Sequence, residues 1–330
     1  MGWLGRGLLV GGGLLWMLLG ILASLISASA AGATPNTGYV VNVLSNSVTP
    51  IELATNTPGT EIKVGRAPAA IAITSNGKTA YVTNGSGETV TPIELATNTP
   101  SEEIKVGKSP EGIAITPNDK TAYVTNLLGH SVSPIRLATN TTGAEIKVGE
   151  FPRAIAITPN GKTAYVTNEF SNSVTPIELA TNTPGTEIKV GILPEGIAIT
   201  PNGKTAYVTN FSSNSVTPVE LATNTPGTEI KVGRDPIGIA ITPNGKTAYV
   251  TNTFSNSVTP IELATNTPGT EITVGKFPQG IAIAPKTRVC GPTGSTGPEG
   301  PAIRCALRRS HRTGCRRGSC ACRFRRSRCR

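Results

Sequence analysis

Followed along its hydrophobic and polar positions, the chain says one phrase over and over. The stretch "GIAITPNGKTAYVTNFSSNSVTPVELATNTPGTEIKV" at residues 196–232 holds one full unit. A short apolar, β-branched run ("GIAIT") meets a polar turn ("PNGK"). "TAYVTN" follows, then a Ser/Asn loop, "SVTPVEL", a second turn ("ATNTPGT") and "EIKV". Short β-forming runs bounded by Gly, Pro and Asn read as strands, and an Asn-Gly between two of them predicts a tight hairpin with positive φ angles. The second turn carries Pro and Gly where turns favour them. No apolar period of 3.6 appears, so the unit predicts four short strands and no helix.

The unit recurs without insertion. Tyr39, Tyr81, Tyr123, Tyr165, Tyr207 and Tyr249 stand 42 residues apart, and Pro68, Pro110, Pro152, Pro194, Pro236 and Pro278 keep the same step. A period of about 40–45 residues fits a propeller blade or a pair of solenoid helices, and the strand pattern decides for the blade. Residues 38–65 carry three strands, five full units follow, and "GIAIA" at 280–284 carries one more. The expected fold is an all-β propeller of six four-stranded blades. The first three strands would borrow the last one to close the ring, which removes exposed strand edges. One feature conflicts with regular pairing. Pro50, Pro92, Pro134, Pro176, Pro218 and Pro260 fall inside the third strand, and proline belongs at edges or bulges. A bulge or a loosely paired fourth strand is expected there.

The tetrapeptide Tyr81-Val82-Thr83-Asn84 returns four more times and departs once, as Tyr39-Val40-Val41-Asn42. From Gly38 to Pro285 the chain resembles the YVTN family of β-propeller repeats. That resemblance implies a propeller, commonly of seven blades, and a secreted or cell-surface location. Its lactonase-like and streptogramin-lyase-like relatives act through polar residues at the channel mouth, but no motif here matches theirs. A fold does not fix a reaction. Residues that recur once per blade, such as the Tyr and Asn of the tetrapeptide, are expected to pack blade on blade.

Composition divides the chain into three. Residues 1–33 combine Arg6, the apolar run 8–26 and small-residue sites at 28–33. They read as a signal peptide or an N-terminal membrane anchor, with cleavage favoured. Residues 34–285 are the propeller. Residues 286–330 hold thirteen Lys/Arg against Glu299 and all six cysteines. The net charge of +10 therefore belongs to this tail, and the nearly neutral propeller gives no reason to expect nucleic acid. The cysteine spacings match no zinc pattern, and no cofactor or metal is expected.

The tail has three readings. It is a basic segment for nucleic acid or anionic surfaces, a collagen-like run at 291–302, or not native sequence. "KTRVC" stands where "NGKTAYV" is due. Arg-Val-Cys (CGC-GTA-TGT) is what the bases of Ala-Tyr-Val (GCG-TAT-GTG) give one base earlier, behind a C. An unbroken frame could then encode a seventh blade.

Function is sought where the copies differ. In an antiparallel blade the "PNGK" and "ATNTPGT" turns share one face, and they barely change. The loop after "YVTN" and the interblade loop share the other, and they vary freely. That variable face carries Phe151, Phe170, Phe211, Phe254 and His130, with Glu111, Arg153 and Glu195 at the channel mouth. Loops on a rigid scaffold concentrate binding residues, so these eight are the candidate binding residues, and the partner is a protein, a polysaccharide or a small molecule. Catalysis has little support. The propeller holds one histidine, His130, and no cysteine, and Glu111 and Glu195, two blades apart with Arg153 between them, suit a salt-bridged role better than acid–base chemistry. The expected function is a secreted or surface-held binding scaffold, membrane-bound only if the N-terminal segment stays uncleaved. The alternative is a hydrolase or lyase on a small extracellular substrate.

Overall fold

The computed structural model describes residues 37–283, and all their regular secondary structure is β. The segments 1–33 and 286–330 lie outside the described residues. No helix among those described is long and apolar enough to cross a membrane.

Six antiparallel sheets follow one another in chain order, numbered here as blades 1–6. Blade 4 serves for all. Its inner strand Pro152–Ile157 pairs with Thr163–Asn168, which pairs with Ser173–Glu178. The fourth strand comes in two pieces, Thr183–Pro184 and Ile188–Lys189, both on the third. The third-strand proline explains the split. Pro176 sits in regular register opposite Tyr165, but it has no N–H to offer outward. Its carbonyl alone is used, accepting from the Gly185 N–H at 2.7 Å. The loosely paired fourth strand is as expected. The bulge lies elsewhere, in the inner strand between Pro152 and Ile155.

The "PNGK" hairpin also differs in detail. Asn160 does not take a positive φ; only Gly161 does, at 67°. The Gly161 N–H closes a turn on the Thr158 carbonyl at 2.8 Å. Asn160 Oδ1 accepts from Thr158 Oγ1 and the Lys162 N–H. This is a longer loop with one left-handed residue rather than a two-residue primed turn. In blade 3 Asp119 holds that position at φ 54°. Its carboxylate accepts from the Ser75 N–H and hydroxyl, which ties neighbouring turns together.

The core lies between blades. Tyr123, Val132 and Ile146 of blade 3 pack on Ala164, Val166 and Ile177 of blade 4, and the same cluster recurs at each of the five junctions. Tyr123 OH donates to Asn182 Oδ1 of the next blade at 2.8 Å. Asn168 is buried, and its amide donates to Ser173 Oγ and Thr175 Oγ1. Gly149 rests on Asn168 so closely that a Cβ there would lie 2.7 Å from its Cγ. The Tyr and Asn of the tetrapeptide thus serve packing between blades.

Among the described residues blade 1 has no inner strand. The strand Thr37–Asn42 has Ser47–Glu52 as its one strand partner, and residues 278–283 form no strand. The expected borrowing is not made among the described residues.

Candidate binding face

Successive inner strands are the elements that approach one another across junctions, so they line the axis. Each starts at its proline on the variable face. The next residue therefore stands at the axial mouth: Ala69, Glu111, Arg153, Glu195, Ile237 and Gln279 in turn. One arc of this ring is charged. Arg153 Nε donates to Glu169 Oε2 at 2.7 Å and lies 3.6 Å from Glu195 Oε2. The three side chains are mostly buried, with exposures of 23%, 12% and 17% for Arg153, Glu169 and Glu195. Glu111 stands on the other side of Arg153, outside ion-pair distance but close enough to feel its charge.

Burial sets the electrostatics. It pushes the Glu195 carboxyl up; Arg153 opposes the rise, Glu169 and Glu111 add to it, and the result is about 7. Burial also raises Glu111, again against Arg153 and with Glu169. For Arg153 burial alone would lower the guanidinium, but Glu195, Glu169 and Glu111 outweigh it and hold it above its ordinary value. A carboxyl that exchanges its proton near neutrality beside a fixed cation can accept a hydrogen-bond donor or a positive charge, or pass a proton.

Beside this arc three rings from successive variable loops come together. His130 and Phe151 meet edge to face with centroids 5.3 Å apart, and Phe151 and Phe170 lie 4.3 Å apart with planes 35° apart. Phe170 is half exposed. The Phe151 N–H donates to His130 Nδ1 at 3.1 Å. In other blades an asparagine does this, as Asn172 Oδ1 accepts from the Leu193 N–H and Asn214 Oδ1 from the Asp235 N–H. His130 keeps the loop bond and adds a ring; its neutral form carries hydrogen on Nε2. The second interblade position is left-handed throughout: Ala67, Ser109, Phe151, Leu193, Asp235 and Phe277 have φ between 49° and 54°. Bulky residues seldom adopt this conformation. Their side chains are imposed on a backbone that would suit Gly or Asn.

The eight sequence candidates therefore fall into groups. Arg153 and Glu195 share a cluster with Glu111 close by, and His130, Phe151 and Phe170 form a ledge next to it. Phe254 pairs instead with Phe277, centroids 5.3 Å apart, and Phe211 is half-buried in the blade 5 loop. Glu169, in the variable loop after the tetrapeptide, is not among the sequence candidates. The signal was available: the residue after the tetrapeptide is Gly85, Leu127, Phe211 or Thr253 elsewhere, and an acid appears only in the blade that carries Arg153. Two hollows of about 460 and 680 Å³ lie by the fourth strands, between adjacent blades and away from this cluster. They occupy equivalent positions in the repeat, so packing accounts for them. Among the described residues no group of three or more His, Cys, Asp or Glu could hold a metal ion.

Comparison with known proteins agrees on the fold. A family model described as lactonase, 7-bladed beta-propeller matches residues 137–284, less than half of the chain. The chain is similar to Kuenenia stuttgartiensis hydrazine synthase, with 21% identity and a TM-score of 0.67 over 83% of this chain and 92% of that one. It is similar to a functionally unknown protein from Desulfotomaculum acetoxidans DSM 771, with 25% identity and a TM-score of 0.64 over 73% and 79%. It is also similar to virginiamycin B lyase from Staphylococcus aureus, with 16% identity and a TM-score of 0.67 over 78% and 87%. Comparison with curated proteins finds no match.

Proposed function

We propose that this propeller, of the YVTN repeat type and secreted or held at the cell surface, is a binding module whose variable-loop face takes a polysaccharide. The observation that carries the reading is convergence. His130, Phe151 and Phe170 come from three different variable loops and meet as one ledge beside Arg153, Glu169 and Glu195. Aromatic faces beside a few placed polar groups suit a ligand with an apolar ring face and hydroxyl donors. The ledge would hold the ring face, and the carboxylates would accept from the hydroxyls. Binding of the protein to purified cell-wall polysaccharide tests this. Phe170→Ala should weaken binding about tenfold or more, as loss of a central aromatic anchor does. Retention of full binding by Phe151→Ala and Phe170→Ala together would overturn the assignment.

A second reading is favoured by one pairing of observations. The matching family model is named for a lactonase, and Glu195, with its carboxyl near 7, is suited to proton transfer at the axial mouth. On this reading the protein is a hydrolase or lyase for a small extracellular substrate, and Glu195 moves the proton. A panel of lactones tests it: turnover that rises with ionisation near pH 7 and disappears in Glu195→Gln would favour the enzyme over the binding module.

A further inference from the structure

On the face opposite the candidate binding residues the turns repeat almost without change, and every change falls in two neighbouring blades. Blades 4 to 6 read "PNGK" and "ATNTPGT" throughout. Blade 2 has Ser75, Ser101 and Glu102 instead, and blade 3 has Asp119, Thr142 and Ala144. Two of these changes answer each other across the junction, where Ser75 supplies the N–H and hydroxyl that the Asp119 carboxylate accepts. Three more line the hollow of about 680 Å³ between the two blades: Ser101, Glu102 and Thr142. Between blades 5 and 6 the same places hold Gly227, Thr228 and Pro268. Packing makes the hollow, but its lining here departs from the repeat.

One departure creates a motif. Asn140 is followed by Thr141 and Thr142, whereas the matching third position is Pro58, Pro100, Pro184, Pro226 and Pro268 in the other blades. Asn-x-Thr or Asn-x-Ser, with x other than Pro, is an acceptor for N-linked sugar. Two other asparagines have this spacing, Asn84 before Ser86 and Asn210 before Ser212. Both are buried, and their amide nitrogens donate to hydroxyls within the blade. Asn140 is exposed. Its Oδ1 accepts from Tyr81 OH of blade 2 at 3.2 Å, and its Nδ2 bonds no protein group among the described residues. Thr142 Oγ1 donates to the Lys105 carbonyl at 2.6 Å, which ties the altered turn across the junction.

We infer that Asn140 carries an N-linked saccharide whose first sugar sits at the mouth of this hollow. The inference rests on the export proposed above, since the sugar is added to chains that leave the cytoplasm. Transfer joins Asn140 Nδ2 to C1 of a sugar held on a diphosphate carrier. The C1–O bond to the diphosphate breaks, the diphosphate leaves with the bonding pair, and Nδ2 gives up one proton to a base of the transferase. Oδ1 is untouched and keeps its bond from Tyr81. Ser101 and Glu102 add a hydroxyl and a carboxylate where the repeat has Gly and Thr, and these are partners for sugar hydroxyls. A saccharide is bulky and belongs at a surface, so a chain modified at Asn84 or Asn210 could not close its blade.

The test is peptide mass spectrometry of the natural protein, recovered from culture medium, cell surface and cell interior. Trypsin, cutting after Arg136 and Lys147, releases residues 137–147, a sequence that occurs once in the chain. The expected result is a sugar mass on this peptide in most copies. An amide-cleaving glycosidase should remove it and leave Asp at the site, and the peptides holding Asn84 and Asn210 should be bare. Thr142→Pro restores the residue that five blades already use, so it should melt like the parent and lose the sugar. Thr142→Ser should keep it. The inference fails if protein recovered outside the cell has a bare 137–147 peptide, and the export reading then stands. If the protein is found only inside the cell, the export reading fails and the inference fails with it. It fails also if the sugar resists the glycosidase and maps to Thr139 or Thr141, or if it persists in Thr142→Pro.

Discussion

Replacing Glu195 by Gln removes one ionisable group from the axial cluster and changes little else in shape. The native carboxyl holds its proton to about pH 7 against an ordinary value of 4.5. Between those values the folded protein binds a proton that the unfolded chain has released, so stability falls as pH rises through the window and levels off above it. A shift of that size is worth roughly 3 kcal/mol at about 1.4 kcal/mol per pH unit. The side chain is 17% exposed, so solvent screening removes only a small part. Glu195→Gln cannot titrate, and this component of the slope should disappear. Glu111, raised by burial and Glu169 and lowered by Arg153, contributes a slope of the same sign in both proteins. The assay is urea unfolding of both proteins at pH 4.5, 6, 7 and 8, followed by tyrosine fluorescence. The wild type should lose roughly 3 kcal/mol relative to the variant between the lowest and highest pH. Parallel profiles would refute the reasoning and place Glu195 in effective contact with solvent.

Other outcomes follow from the repeat geometry. Tyr165→Phe removes the hydroxyl that donates to Asn224 Oδ1 at 2.9 Å and should cost about 1 kcal/mol in urea unfolding. Gly149→Ala places a methyl against buried Asn168 and should cost about 1–3 kcal/mol, read as a lowered unfolding midpoint. Leu193→Asn keeps the left-handed backbone at φ 54° with a residue that tolerates it, and should raise stability by about 0.5–1 kcal/mol.

Much of the fold was legible because the chain states it repeatedly. The 42-residue step, the strand pattern and the two-faced loop arrangement needed only the sequence. The third-strand prolines even announced the broken fourth strand, since a residue without an N–H cannot support a continuous neighbour. The hairpin differs in detail because Asn-Gly is compatible with two turn geometries, and the longer one is held by its own bonds, the Gly161 N–H to the Thr158 carbonyl and the Asn160 Oδ1 that accepts from Thr158 Oγ1 and the Lys162 N–H. Closure was illegible for a different reason. Strand counting is a one-dimensional argument, whereas whether the last strand reaches the first depends on the rotation accumulated over five junctions. The axial arc lay between these cases. Position in the repeat predicted Glu111, Arg153 and Glu195, but pairing partners in the loops are set by three-dimensional proximity, and the sequence marks Glu169 only as the one acid after the tetrapeptide, in the blade that carries Arg153. The joining of His130 to Phe151 by a backbone bond was likewise hidden, because nothing in the sequence says that the Asn it replaces is a loop cap.

The repeat also supplies its own control for whether the charged arc serves stability or ligand. Other blades complete the same axial mouth without these charges, using Ala69, Ile237, Gly85 and Thr253 at the equivalent positions. A triple variant, Arg153→Ala, Glu169→Thr and Glu195→Ile, borrows residues the scaffold already accepts there. Losing Arg153 alone would leave Glu169 and Glu195 without their cation and should cost about 3–5 kcal/mol, the usual penalty for breaking a buried ion pair. Removing all three together leaves only Glu111, whose carboxyl burial already disposes to hold its proton, and apolar replacement of a buried charged cluster is commonly neutral or stabilising by about 1–4 kcal/mol. The expected result is a triple variant at least as stable as the parent that no longer binds the polysaccharide. Stability cannot then be the reason these charges are kept, since the remaining blades manage without them. A triple variant destabilised as strongly as Arg153→Ala would reverse the conclusion: the cluster would be part of the frame, and the binding face would reduce to the aromatic ledge.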